Sequence, residues 1–285
     1  MDSTVLKKLE EWQEQNKVSP ELVEFYVSLL HIQATAQQAD GVPKTKLSRP
    51  AISRRSEKGQ PLIGSDEFNP DWSQLRDVFI KVANAFASHP NLFGPIPESL
   101  TKVVSLGVLK KAVKAWWTGT ELPAVMSPEG VTTYLLGDMI QATVKPFLTN
   151  YAKTLISSVD QERWRRGYCP VCGGNPDFSF MDKERGSRWL VCGRCDTEWI
   201  FQRLQCPYCN TEDQNQLFYF TDDNGRYRLY VCDNCKQYLK TIDLRHAEEA
   251  VIISLERLFT LNLDAQAQEH GYRRDNVSSA AQNTD

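Results

Sequence analysis

Eight cysteines stand in four C-x-x-C pairs: Cys169-Pro-Val-Cys172, Cys192-Gly-Arg-Cys195, Cys206-Pro-Tyr-Cys209 and Cys232-Asp-Asn-Cys235. Two intervening residues let a tight turn aim both sulfurs at one point, with backbone N–H groups facing the thiolates. Two such knuckles complete a tetrahedral shell of four thiolates around one metal ion. Between Cys172 and Cys192 lie 19 residues, and between Cys209 and Cys232 lie 22. Both gaps are close to the range that marks a four-cysteine metal site. With every ligand a cysteine, neither site keeps the open position that catalytic zinc requires, which argues against hydrolytic metal chemistry. The histidines do not supply it: His31 reads as a helix-surface residue, His89 as a helix C-terminal one, and His246 and His270 are scattered. No P-loop, no G-x-G-x-x-G after a strand and no H-E-x-x-H occurs in the chain.

An internal repeat indicates which knuckles share an ion. Arg188-Trp-Leu-Val-Cys192-x-x-Cys195 recurs forty residues later as Arg228-Leu-Tyr-Val-Cys232-x-x-Cys235, each copy preceded by a C-P-x-C knuckle and a hydrophilic turn. Residues 177–181 and 189–191 read as paired strands across the turn 182–186, and residues 217–220 and 227–231 as a second pair across Asp222-Asp-Asn-Gly225. A hairpin joining two knuckles is a ribbon. Sequential pairing is therefore favoured, with Cys169, Cys172, Cys192 and Cys195 on one metal and Cys206, Cys209, Cys232 and Cys235 on the other; interleaved pairing is the alternative.

A unit of roughly 27 to 30 residues lies below the size of about 40 at which a core stands without metals or disulfides. Structural zinc contributes on the order of 10 to 16 kcal/mol in finger-like peptides, enough to fold such a unit. A thioredoxin-like redox dithiol explains neither four pairs nor the lack of a βαβ pattern. Four thiolates suit zinc and also the single iron of a rubredoxin-like centre, whose style the C-P-x-C-G form of the first knuckle shares.

The elements around these knuckles divide the chain. All eight cysteines fall within 67 residues, and the preceding 168 contain none. Upstream, apolar residues recur at helical spacing: Leu22, Phe25, Tyr26, Leu29 and Leu30; Trp72, Leu75, Val78, Phe79, Val82 and Phe86; a stripe over residues 98–117; and another from Pro128 to Leu155, with a kink expected at Pro146. Ser19-Pro20, Asp71 and Ser127-Pro128 sit where N-caps and first-turn prolines belong. Between helical stripes, GVPKTKLSRPAISRRSEKGQPLIG lacks apolar periodicity and reads as an exposed basic loop near residues 41–64, a solvated linker in preference to an arm for a polyanion. Downstream, residues 247–263 return to helical period, and the polar tail after Tyr272 is expected to fray. The expected class is α+β: an all-α helical domain over residues 1–163, four-cysteine ribbons over 164–204 and 205–244, and a C-terminal helix with a polar tail over 245–285.

The net charge of −3 gives no global positive field for nucleic acid or anionic membrane. MDSTVLKKLEEWQEQ lacks the apolar stretch of a secretory signal, and no run of 18 apolar residues occurs, so a cytoplasmic, reducing location is expected. Three function classes compete. Zinc ribbons often bind nucleic acid, but residues 169–235 hold seven Lys or Arg against ten Asp or Glu, a net of −3 that lacks the basic footprint. A rubredoxin-like electron carrier would not need some 160 further residues. A protein-binding maturation factor fits both parts, and Tyr168, Trp199 and Tyr208 beside the knuckles are its candidate partner-binding aromatics, with burial against the neighbouring domain as the equal alternative.

The strings WRRGYCPVCGGNP, CGRCDTEWIFQRLQCPYC and CDNCKQYLKTIDL, with LNLDAQAQEHGYRRDN near the end and KPFLTNYA before the first knuckle, resemble the formate dehydrogenase accessory protein family, FdhE. The resemblance is specific over about half the chain. It implies a non-catalytic cytoplasmic factor that binds the catalytic subunit of respiratory formate dehydrogenase and is required for that enzyme's activity. It also implies that the eight cysteines hold two rubredoxin-like centres, described for the family as iron-binding.

Overall fold

The computed structural model describes residues 3–16, 18–39, 47–102, 104–126 and 128–274. In chain order the helices are α1 (Ser3–Asn16), α2 (Pro20–Ala39), α3 (Arg49–Glu57), α4 (Trp72–Ala87), α5 (Pro90–Phe93), α6 (Glu98–Thr101), α7 (Leu106–Thr118) and α8 (Thr133–Leu155). Six strands follow: β1 (Pro176–Met181), β2 (Arg188–Cys192), β3 (Glu198–Phe201), β4 (Leu217–Thr221), β5 (Tyr227–Cys232) and β6 (Gln237–Asp243). The chain then closes with α9 (Ile253–Phe259) and α10 (Leu261–Glu269). It forms two compact units: residues 1–45 with 65–154, and residues 46–64 with 155–285.

The first unit is helical because its apolar stripes have no other way to leave water. Leu75, Phe79, Val82 and Phe86 of α4 are buried, and Phe25 of α2 meets Phe86 and Phe93 at ring-centroid distances of 4.8 and 4.5 Å. The Asp71 carboxylate caps α4, accepting from the N–H groups of Ser73 and Gln74. Three expectations change. Residues 98–117 form two helices, because the Ser105 hydroxyl takes the Val108 N–H and starts α7 afresh. Helix α8 starts after Thr132, whose hydroxyl accepts from Leu135 N–H, and continues through Pro146; Ser127 lies outside the described residues. Helix α1, which buries Leu9 and Trp12, is an addition to the expected helices.

The second unit carries a single six-stranded sheet in the order β3-β2-β1-β6-β5-β4. The two expected hairpins are present as β1–β2 and β4–β5. Each ribbon gains a third antiparallel strand, β3 or β6, and β1 and β6 pair in parallel with Phe178 opposite Lys240 and Phe180 opposite Ile242. The ribbons are therefore halves of one sheet. On one face, Phe178, Val191 and Ile242 are buried with Val251 and Ile253, while Leu229, Val231 and Tyr238 are buried with Ala267 of α10. The C-terminal segment is two helices, broken at Thr260, whose hydroxyl turns back to the Glu256 carbonyl.

The stretch expected as an exposed loop is largely structured. Ser48 caps α3, proline fills its first turn, and Leu62 and Ile63 are buried at 1% and 2% exposure. Their N–H groups donate to the carbonyls of Pro170 and Val171 in the first knuckle, and Tyr168 Oη donates to the Gly59 carbonyl. Residues 41–46 lie outside the described residues. The tail is held at least as far as Arg274, which pairs with Asp264, and Arg273 N–H bonds the Lys236 carbonyl.

Candidate metal centres

All four knuckles are the same turn. The amide of the fifth residue donates to the carbonyl of the first cysteine in each: Gly173 to Cys169, Asp196 to Cys192, Asn210 to Cys206 and Lys236 to Cys232. Those four donors have φ of 70°, 56°, 60° and 58°, the left-handed region that Gly, Asn and Asp tolerate best. Lys236 is the least suited of the four; its ammonium meets Asp233 at 2.6 Å.

The turns gather the sulfurs into two groups, Cys169, Cys172, Cys192 and Cys195, and Cys206, Cys209, Cys232 and Cys235, with all Sγ atoms of a group within 4.8 Å of one another. This is the sequential arrangement. Four sulfurs at about 2.3 Å from one ion in a tetrahedron stand about 3.8 Å apart. The observed pairs fit that cage: Cys169–Cys195 at 3.6 Å, Cys172–Cys192 and Cys172–Cys195 at 3.5 Å, Cys206–Cys235 at 3.8 Å and Cys209–Cys232 at 3.7 Å. Protein donors offset part of the charge. Arg194 N–H points at Cys192 Sγ, the Thr197 hydroxyl lies 3.0 Å from Cys195 Sγ, and Asn234 Nδ2 donates to Cys209 Sγ.

Protonation shows what an ion must do here. Burial, reinforced by hydrogen bonds to Cys169 and Cys192, pushes the Cys172 thiol well up, and burial does the same to Cys195. Burial also opposes charge on Cys192, yet its thiol lies well below the ordinary range because its three neighbours and Arg194 N–H hydrogen-bond to it. In the second cluster, the hydrogen bond with Cys235 and then burial drive Cys206 far up. Burial lifts Cys232 to about 11, and the bond from Cys206 draws Cys235 down to about 6. The protein's own groups thus favour the thiolate of Cys192 in one cluster and of Cys235 in the other, and the charge of a metal cation is what would draw the proton from Cys172, Cys195, Cys206 and Cys232.

The clusters differ in exposure: the first is wholly buried, whereas Cys209 and Cys235 of the second are half-buried. A chelator is therefore expected to remove metal in two phases, the second site emptying first. Absorbance of a metallochromic indicator would follow this, and Cys206→Ser should abolish the fast phase and keep the slow one. A single phase in the unaltered protein, or a fast phase that survives Cys206→Ser, would contradict the assignment.

Arg257 of α9, which sequence reasoning did not single out, braces the first site. It donates to Asp177 at 2.8 Å, to Asp196 at 2.6 Å and to the Cys192 carbonyl at 3.0 Å. Burial alone would lower its pKa, but the two carboxylates hold it above the ordinary value. Only its place in an amphipathic segment was legible.

The three candidate partner-binding aromatics are not surface residues. Trp199 is fully buried with its indole N–H on the Arg166 carbonyl, and Tyr168 and Tyr208 are each 7% exposed. Tyr208 Oη lies 3.1 Å from the carbonyls of both Pro176 and Tyr238. A large ring with one polar tip suits an interior that offers a backbone carbonyl, so Tyr208 and Trp199 tie the knuckle segments to the sheet and Tyr168 ties its knuckle to Gly59. In the sheet, the exposed aromatics are instead Phe218, Tyr219 and Phe220 on β4.

In class, then, this is a protein of two four-cysteine, zinc-ribbon-like clusters on one sheet, accompanied by a helical unit. The family model described as "FdhE, central domain" matches residues 168–203. An FdhE homologue from Aquifex aeolicus strain VF5 is 29% identical over 228 residues, covering 78% of this chain and 74% of its own. One from Stutzerimonas stutzeri strain A1501 is 27% identical over 259 residues, 85% and 77% of the two chains. FdhE of Escherichia coli O1:K1 is 32% identical over 116 residues, 40% of this chain and 37% of that one. The fold is similar to the crystal structure of the FdhE protein from Pseudomonas aeruginosa, with a TM-score of 0.63 at 21% identity over 96% and 92% of the chains. Together these matches support a relation to the FdhE family.

Proposed function

We propose that this chain is a maturation factor for respiratory formate dehydrogenase, not itself an enzyme, which binds that enzyme's catalytic subunit in the cytoplasm. The observation that carries the reading is the pair of closed four-cysteine clusters in a chain whose matches are to FdhE proteins. A shell of four cysteines leaves no coordination position for substrate water, so the ion supplies shape or a single electron. Cys169, Cys172, Cys192 and Cys195 would hold one ion and Cys206, Cys209, Cys232 and Cys235 the other, either iron or zinc. No helix among the described residues is long and apolar enough to cross a membrane. Open thiolate ligands need a reducing compartment, which the cytoplasm provides.

Deleting the gene is expected to abolish formate dehydrogenase activity while the catalytic polypeptide continues to accumulate, measured by activity stain and immunoblot. Unchanged activity sinks the reading. A second reading, a rubredoxin-like electron donor to the client, is favoured by the partial exposure of Cys209 and Cys235. Elemental analysis after anaerobic purification separates the two: iron with a thiolate charge-transfer spectrum supports electron transfer, and two zincs remove it.

A further inference from the structure

Strand β4 ends the sheet. It pairs with β5 on one side, and among the described residues no backbone group bonds to its other side. Edge strands are usually blunted by charge, proline or a covering element. This one reads Leu-Phe-Tyr-Phe-Thr, with Phe218, Tyr219 and Phe220 exposed at 45%, 53% and 53%. Alternation places Leu217 and Tyr219 on the same face as Tyr230 of β5 and Leu239 of β6.

On that face lies a pocket of 240 Å³ whose lining includes Arg188, Arg203 and Arg228 and no carboxylate. Arg228 is matched by Asp243 at 2.6 Å. Arg188 is not matched. It is 3% exposed, stacks over the Tyr230 ring at 4.3 Å and donates Nη1 to the carbonyls of Gln202 and Gln205. Its Nε has no hydrogen-bond partner, and among the described residues no carboxylate pairs with it. A buried guanidinium with an unused donor is costly. Negative charge on the neighbouring Cys206 thiolate would offset the cation at a distance but would not occupy that N–H.

We propose that β4 and this pocket receive an extended peptide from a partner protein, which adds a strand to the sheet and seats an acidic side chain against Arg188 and Arg203. Main-chain pairing would supply general affinity. Apolar residues two positions either side of the acid would rest on Leu204, Leu217 and Tyr219, giving specificity. The inference deepens the client-binding reading and rests on it for the source of the peptide, but its test needs no client.

The probe is a blocked heptapeptide, Thr-Val-Thr-Glu-Thr-Val-Thr, titrated into the ¹⁵N-labelled full chain loaded with zinc. The amides of residues 217–221 should shift, and replacing the peptide's Glu by Gln should weaken binding about tenfold, as loss of a charge-assisted hydrogen bond implies. Arg188→Gln in the protein should make the two peptides equal. Should that variant misfold, exposed Arg203→Gln provides the same comparison with a smaller difference. No β4 shift, equal binding of both peptides to the unaltered protein, or β4 shifts that follow protein concentration without peptide would each overturn the proposal; the last would mean that a second copy covers the strand. Peptide binding with no binding of the catalytic subunit would sink only the client reading, and the reverse only this one.

Discussion

Replacing Cys172 by Ser is expected to release the metal of the first cluster and to unfold the ribbon unit while the helical unit keeps its signal. Cys172 is 1% exposed and its sulfur lies 3.5 Å from those of both Cys192 and Cys195. Structural zinc supplies on the order of 10 to 16 kcal/mol in small modules, whereas whole domains are stable by only about 5 to 15 kcal/mol. The merged sheet has more core than an isolated ribbon, since Leu190, Trp199, Phe178 and Ile242 are buried in it. Yet the first cluster sits where β1, β2 and the Leu62-Ile63 segment meet, and its sulfurs have no water to fall back on. Loss of dispersed sheet amide resonances, with helical circular dichroism retained, is the expected result. A metal-free variant with an intact sheet spectrum would show that packing alone holds the unit.

Arg257→Met should cost about 3 kcal/mol, the order seen when one partner of a buried ion pair is removed. Methionine fills much of the same space, so the loss is electrostatic. Asp177 and Asp196, whose side chains are 19% and 31% exposed, would face each other and a negatively charged tetrathiolate without a cation between them. The Cys192 carbonyl would also lose its donor. Denaturant melts of the metal-loaded protein would measure the cost, and chelator competition should show faster release from the first site alone. An unchanged melt would mean that solvent already screens the two carboxylates.

Both expectations concern features of unequal visibility in the sequence. The Cys172 role follows from C-x-x-C spacing alone, because a two-residue gap fixes the separation of two sulfurs wherever the turn occurs. The repeat of Arg188–Cys195 in Arg228–Cys235 gave the grouping by the same local logic, and the hairpin strands fell close to their expected limits. Arg257 was hidden, since nothing in an amphipathic helix says which distant carboxylates its surface arginine will meet. Strands β3 and β6 were missed for a related reason. Glu-Trp-Ile-Phe is too short to show a period, and Gln-Tyr-Leu-Lys-Thr-Ile-Asp hides its Lys240 in the interior, where the ammonium finds Asp264 at 2.6 Å.

Sequence by itself determined the two closed cysteine sites, the duplicated hairpins and the helical character of the first half, all of which depend on residues within about one hairpin or one helix of each other. Tertiary structure alone decided that β1 and β6 join the ribbons into one sheet, that Gly59, Leu62 and Ile63 bond to the first knuckle segment, and that Tyr168, Trp199 and Tyr208 lie inside while β4 keeps its aromatics outside. The physical reason is that burial belongs to a pair of surfaces: a tyrosine or a tryptophan has the same apolar ring in either place, and only the element that comes to lie against it settles whether water is displaced.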